Sequence, residues 1–102
     1  MTDNSSDERL EAKVIGAVQG VGFRWWVVHT ASNLGVTGWT SNESDGSVLV
    51  VAEGSPAALE ELERRLHDGP SGAHVSDVKG ARLPATGEFS TFGIRSGAHR
   101  GD

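Results

Sequence analysis

The chain has 102 residues, of which 36% are hydrophobic and 23% charged, and its formal net charge is -5. This length fits one domain, and the absence of cysteine excludes disulfide scaffolds, thiolate nucleophiles and cysteine-ligated metal centres. The acidic balance disfavours general nucleic-acid binding, which needs lysine and arginine to neutralise phosphates, and no apolar run approaches the roughly 20 residues of a membrane helix.

The two ends of the chain differ in composition from the part between them. Residues 1–8 are small, polar and acidic and lack the positively charged region and the apolar region of a secretory signal, so we expect a disordered leader on a cytoplasmic protein. Residues 97–102 are expected to form a flexible tail. One ordered domain over residues 9–96 remains.

That domain begins with a predicted strand and a predicted helix. Apolar residues alternate with other side chains from Leu10 to Val18, which predicts a strand. From Phe23 the spacing changes to three and four residues, which predicts a helix that Gly35 ends. The apolar stripe of this helix consists of Phe23, Trp26, Val27, Thr30, Ala31 and Leu34.

A hairpin and a second helix follow. The predicted bounds are 36–41 for a second strand, 42–46 for a loop and 47–53 for a third strand. Asp45-Gly46 favours a tight turn, because glycine adopts positive φ without strain. Ser55 is a good N-cap and Pro56 a good first helical residue, and Gly69 is expected to end this helix.

The last third of the chain carries weaker signals. A fourth strand is suggested by Val75, Val78, Ala81 and Leu83, and a short closing strand by Phe89, Phe92 and Ile94. The resulting order of elements corresponds to two split βαβ halves joined by a hairpin. The sequence therefore predicts an α+β, ferredoxin-like sandwich, in which an antiparallel sheet carries both helices on one face.

The first candidate site is the glycine-rich segment 18–24, between the first strand and the first helix. Gly20 and Gly22 allow backbone N–H groups to converge on an anion, and the helix N-terminus adds free donors. Arg24 could close this cradle around a tetrahedral oxyanion. The segment lacks the Gly-Lys-Ser/Thr ending of a Walker loop. An ordinary glycine-rich connection followed by a solvated arginine fits the same spacing.

The second candidate site residue is Asn42, which ends the second strand. Its amide can accept from water and donate to an oxyanion. Asparagine before an Asp-Gly turn is also common for reasons of turn chemistry alone. The four histidines are scattered without metal-ligand spacing, so we expect no metal and no cofactor.

Two segments together resemble a known family. Gly16-Ala17-Val18-Gln19-Gly20-Val21-Gly22-Phe23-Arg24 is similar to the phosphate-loop signature of acylphosphatases, and Gly38-Trp39-Thr40-Ser41-Asn42 with Asp45-Gly46-Ser47-Val48 is similar to their second signature. The order and separation of the two segments also match, and the resemblance covers residues 9–96.

The resemblance implies metal-free hydrolysis of the carboxyl–phosphate bond of acyl phosphates. It assigns phosphate binding to Arg24 and orientation of the attacking water to Asn42. The backbone N–H groups of the cradle would come from Gln19, Gly20, Val21, Gly22 and Phe23. The expected partner is a small acyl phosphate, without nucleic acid or membrane, and the expected state is a monomer.

The chain departs from the family pattern at a few positions. Ala17 replaces a residue that is often basic, and Thr40 and Ser41 replace a small apolar and a longer or basic residue. Since neither Arg24 nor Asn42 is lost, we expect these departures to affect catalytic efficiency and substrate preference. Trp25 lies off the apolar stripe, which places it near the rim of the site.

Two alternatives use the same fold. One is a non-catalytic module that binds a ligand or RNA. RNA readers of this fold carry aromatics at strand centres, whereas Trp39 is expected near a turn and Phe23 in the helix core. The other is an accessory domain of a larger carbamoyl-transfer maturation factor, which also carries a cysteine-rich domain. The lack of cysteine in this chain favours a free-standing enzyme.

Overall fold

Residues 7–96 are described by the computed structural model, which places two helices against one five-stranded sheet. The elements are β1 (Glu8–Ala17), α1 (Phe23–Asn33), β2 (Thr37–Asn42), β3 (Val48–Gly54), α2 (Pro56–Asp68), β4 (His74–Pro84) and β5 (Phe92–Ile94). Most of the predicted leader and all of the predicted tail, 97–102, lie outside the described residues. Glu8, assigned to the leader, is the first residue of β1.

The sheet has the strand order β4-β1-β3-β2-β5. The first four strands pair antiparallel, which confirms the ferredoxin-like prediction. The prediction of a wholly antiparallel sheet is wrong for β5, which pairs parallel to β2 with Gly38 opposite Phe92. Because β4 and β2 run in opposite directions, a chain that reverses once after β4 must run parallel to β2.

The core lies between the sheet and the two helices. Leu10, Ala12 and Val14 of β1 are fully buried on the helix side, as their alternation predicted. Leu59, Leu62 and Leu66 of α2 are equally buried and belong to the same apolar cluster. The helix face of the sheet therefore supplies the hydrophobic driving force for folding.

The helix ends follow the sequence signals. Ser55 Oγ accepts from the backbone N–H of Ala58 at 3.1 Å, and Gly69 follows the last residue of α2. Gly35, just beyond α1, has a φ of +76°. At the other end of α1, Gly22 is the N-cap with a left-handed φ of +79°, and no side chain caps the helix there.

The connection from β4 to β5 crosses from one edge of the sheet to the other. Buried Glu53 holds it, accepting from the backbone N–H groups of Thr86 and Gly87 at 2.9 Å each. Arg9 Nε donates to the same carboxylate at 2.8 Å, and the Arg9 guanidinium lies over the ring of Phe89. Phe89 thus belongs to this connection rather than to the closing strand. No helix within residues 7–96 is long and apolar enough to span a membrane.

Candidate active site

The connection between β1 and α1 is built as an open loop. Val18 is buried and anchors its start in the core. Gly20 and Gly22 have φ values of +77° and +79°, which glycine adopts readily, and beyond their chain neighbours no atom of residues 7–96 lies within 4 Å of where their Cβ atoms would be. The backbone therefore turns sharply while leaving space above it for a ligand.

A cavity of about 160 Å³ lies between this loop, the first turn of α1 and the end of β2. At about 30 Å³ for each water in the liquid, this is room for roughly five waters. Its lining consists of Val18, Gly20, Gly22, Phe23, Arg24, Trp25 and Asn42. The fold thus brings the two sequence-predicted functional side chains, Arg24 and Asn42, to one cavity from different elements.

Asn42 is the last residue of β2 and is only 7% exposed. Its Oδ1 atom is buried and accepts no hydrogen bond from the part of the chain that the structure describes. Leaving a buried acceptor unpaired costs about 1–3 kcal/mol. Asn42 also lines the cavity, so its side chain is the polar group that β2 contributes there.

The side chain of Asp45, rather than that of Asn42, stabilises the turn that follows β2. Asp45 Oδ1 accepts from the backbone N–H of Ser47 at 3.0 Å and from Ser47 Oγ at 2.6 Å. Lys13 Nζ contacts the other oxygen of Asp45 at 2.6 Å, and these bonds hold the pKa of Asp45 well below its usual range. Since Asp45 makes the turn contacts, turn chemistry does not account for the buried Oδ1 of Asn42.

Arg24 differs from the other arginines between residues 7 and 96. Arg24 makes no ion pair with any carboxylate in that range, and it lies half-buried in the first turn of α1. The first turn also contains no acidic side chain. The other arginines contact a carboxylate or an aromatic ring: Arg9, Arg64, Arg65 and Arg82 form ion pairs, and Arg95 covers Trp39. The charge of the Arg24 guanidinium and the partial positive charge at the N-terminus of α1 therefore both favour an anion in the cavity.

Gln19 serves a role that the sequence analysis did not anticipate. Its Nε2 donates to the carbonyl oxygens of Glu43 and Ser47 at 2.8 and 2.9 Å, which fastens the loop to the β2–β3 hairpin. Neither Gln19 nor Val21 is among the residues that line the cavity. No periodicity marks such a contact, because it joins two irregular segments that are distant in sequence.

The departures from the family pattern fall in different environments. Ala17 is exposed at the end of β1. Thr40 is fully buried and donates to the carbonyl of Leu49 at 2.9 Å, and Ser41 Oγ donates to the Glu43 carboxylate at 2.6 Å. Both hydroxyls are therefore engaged in the hairpin.

Trp39, the aromatic residue weighed above for RNA binding, does not lie near a turn as predicted. Trp39 is the third residue of β2 rather than near a turn, and the Arg95 guanidinium lies 4.4 Å from its ring centroid. The ring is thus already stacked on a side chain of the protein. Within residues 7–96, no three His, Cys, Asp or Glu side chains are grouped to hold a metal ion.

The chain is similar to known proteins over nearly all of the residues that the structure describes. A family model described as Acylphosphatase matches residues 10–94. A curated relative from Arthrobacter sp. (strain FB24), named Acylphosphatase, is 45% identical over 92 residues, which cover 90% of this chain and 84% of the relative.

Solved structures are also similar to this chain. A structure of an acylphosphatase from Coxiella burnetii superposes with a TM-score of 0.86 at 35% identity, covering 93% of this chain and all of that one. A crystal structure of full-length HypF, in a phosphate- and nucleotide-bound form, superposes with a TM-score of 0.81 at 25% identity. The match covers 89% of this chain but only 12% of HypF.

Proposed function

The chain belongs to the acylphosphatase family and hydrolyses the carboxyl–phosphate bond of acyl phosphates, and from this premise we propose that Arg24, the loop amides and Asn42 carry out the reaction. The observation that carries the proposal is that Arg24 and Asn42, whose buried Oδ1 has no partner within residues 7–96, line one cavity. A water held there lies beside an anion bound by the guanidinium.

Phosphate binding is assigned to Arg24 and to backbone N–H groups of the loop and the first helical turn. The residues proposed to supply these amides are Gln19, Gly20, Val21, Gly22 and Phe23. The proposal is supported by the uncapped N-terminus of α1 and by the absence of acidic side chains from its first turn. Such preorganised donors are worth about 2.7–4 kcal/mol each in a transition state.

Asn42 orients the attacking water. The water oxygen bonds to phosphorus, and the bond from phosphorus to the acyl oxygen breaks. The carboxylate leaves with the electron pair of that bond and needs no general acid, because it is stable as an anion near neutral pH. An asparagine amide is not a base at this pH, so the proton of the water passes to an oxygen of the phosphoryl group.

We propose that this reaction needs no metal ion. Phosphoryl transfer depends mainly on positioning and on neutralising charge. Arg24 and the amides of the loop supply positive charge and donors where the phosphoryl group would lie. Activity in the presence of a chelator tests this point directly.

The setting of the enzyme is a further part of the proposal. We place it in the cytoplasm as a monomer that acts on a small molecule and does not bind nucleic acid. The net charge of -5 argues against nucleic-acid binding, and the lack of cysteine fits a reducing compartment. Light scattering, cell fractionation and an anisotropy titration with RNA at low salt test the three parts separately.

The decisive experiment measures hydrolysis of benzoyl phosphate in EDTA by the wild type, Arg24→Gln and Asn42→Ala. We expect wild-type turnover in chelator and a loss of at least about 100-fold in kcat for each variant. Arg64→Gln, at an exposed arginine on α2, is the matched control and should retain activity. A folded Arg24→Gln or Asn42→Ala protein with wild-type kinetics would refute the assigned roles.

A further inference from the structure

Trp25 exposes an unusually large apolar surface next to the cavity. Its side chain is 65% exposed, although tryptophan is usually largely buried. Trp26, the next residue, packs instead against Phe23 with ring centroids 5.4 Å apart. Of the two adjacent indoles, the first is therefore the more exposed.

The exposed indole belongs to the mouth of the cavity. Trp25 lines the cavity together with Arg24 and Asn42. Val21, at 37% exposed, is a second exposed apolar side chain and lies between two glycines that line the same cavity. Val21 does not line the cavity itself, so Trp25 is the exposed apolar side chain at its edge.

The indole is supported from the next turn of the helix. The ring of His29, four residues further along α1, lies 6.3 Å from the Trp25 ring with an angle of 32° between the planes. Residues four apart lie on the same helix face, so the imidazole limits the movement of the indole on one side. Most of the indole surface nevertheless stays exposed.

We infer that Trp25 binds the acyl group of the substrate and selects flat, apolar acyl groups. The inference rests on the proposed function, in which the phosphoryl group occupies the cavity beside Arg24. About 160 Å³ accommodates that group and a water, so the acyl group extends past the rim. The indole is the largest exposed apolar surface there, and an aromatic ring stacks on it in offset or edge-to-face geometry.

The expected effect is a change in substrate preference. An aromatic pair contributes enough beyond area burial to change affinity by about two- to tenfold. An acetyl group has no ring to stack, and a carbamoyl group is small and polar. Trp25→Ala should therefore reduce the ratio of kcat/KM for benzoyl phosphate to that for acetyl phosphate by about two- to tenfold. Trp25→Phe should restore most of this ratio.

The experiment measures kcat and KM for both substrates with the wild type, Trp25→Ala, Trp25→Phe and Leu83→Ala. Leu83 is an exposed apolar residue on β4 and controls for the loss of apolar surface away from the cavity. Inhibition by inorganic phosphate is measured in parallel, because free phosphate does not extend to the indole. We expect its inhibition constant to stay within about twofold in Trp25→Ala.

The outcomes separate this inference from the proposed function. A lowered benzoyl-to-acetyl ratio in Trp25→Ala alone, with phosphate inhibition retained, supports acyl binding by Trp25. An unchanged ratio overturns it, whether kcat/KM for both substrates stays the same or falls by the same factor. The proposed function fails separately, if Arg24→Gln hydrolyses both substrates like the wild type.

Discussion

The side-chain amide of Gln19 donates to the backbone carbonyl of Glu43 across a distance of 2.8 Å, joining the β1–α1 loop to the hairpin that follows Asn42. The same amide donates to the carbonyl of Ser47 at 2.9 Å. Arg24 and Asn42 lie on different elements, so their separation depends on how these elements are held together. The Gln19 amide is a direct link between the two segments.

Replacing Gln19 by methionine tests this link. Methionine keeps a similar length but cannot donate, which leaves two carbonyl oxygens without their partner. We expect the free energy of unfolding to fall by about 1–3 kcal/mol. We also expect kcat/KM to fall by about tenfold or more, because small misplacements of reacting groups are costly. Urea denaturation and steady-state kinetics measure the two effects.

Lys13→Met is the matched control for the Gln19 variant. It removes the ion pair to Asp45 on the same hairpin, and both of these side chains are about half exposed. Such pairs contribute only about 0–1 kcal/mol. If Gln19→Met behaved like Lys13→Met in both measurements, the amide would have no positioning role.

Two glycines at opposite ends of α1 allow strain to be separated from function. Gly22 and Gly35 have φ values of +79° and +76°, and in the described part of the chain only their immediate neighbours lie within 4 Å of the missing Cβ. Alanine at either position should cost about 1–2 kcal/mol of stability, from the left-handed backbone alone. Only Gly22 lines the cavity, so only Gly22→Ala should also lower kcat/KM.

The comparison of these two variants is informative whichever way it falls. Thermal denaturation should give similar losses for both, since the backbone angles are nearly equal. Activity assays on benzoyl phosphate should then distinguish them. An equal activity for Gly22→Ala and Gly35→Ala would mean that the loop conformation does not matter for the reaction.

Most of the fold could be predicted from local patterns in the sequence. Alternation in β1 and the signals at Ser55, Pro56 and Gly69 each act over a few residues, and the structure confirms them. The direction of β5 could not be read in this way. It follows from the path of residues 85–91 across the sheet, which contains no regular pattern.

The chemical groups of the proposed site were also easier to predict from the sequence than their arrangement. Arg24 and Asn42 stand out by residue type and by their place beside glycines or a turn. The Gln19 contacts and the use of Asp45 in the turn depend on contacts between loops. Propensity says nothing about such contacts, because they require the folded positions of both partners.

Glu53 makes the stability of the fold depend on pH in the acidic range. Burial alone would raise its pKa, but the N–H groups of Thr86 and Gly87 and the Arg9 guanidinium lower it, from 4.5 to about 2 in total. A group with a lowered folded-state pKa stabilises above its unfolded value and loses that effect as the pH falls. We therefore expect the free energy of unfolding to decline between about pH 4.5 and pH 2.

Urea denaturation across this pH range, with Glu53→Gln beside the wild type, measures the contribution. Glutamine keeps the shape but not the charge, so the variant should lose about 1.5–3 kcal/mol at pH 7, because charge-assisted hydrogen bonds are removed. Its own stability should change less between pH 4.5 and pH 2. Parallel pH profiles for the two proteins would show that Glu53 does not titrate differently in the folded and unfolded states.

Inorganic phosphate should stabilise the folded protein through Arg24, independently of any turnover. A ligand that binds only the folded state adds RT ln(1 + [L]/Kd), which is about 1.4 kcal/mol at ten times Kd. For a domain of this size that raises Tm by roughly 5 °C or more. Differential scanning calorimetry over a series of phosphate concentrations measures the shift.

Phosphate also stabilises proteins in general, because it is excluded from their surfaces, so the test compares two proteins rather than two buffers. Arg24→Gln keeps the exclusion effect and loses the guanidinium that would bind the anion. The wild type should therefore gain several degrees more than the variant, with a dependence on phosphate that saturates. Equal and non-saturating shifts in both proteins would place the anion outside the cavity beside Arg24, and the assignment of that cavity to the phosphoryl group would fail.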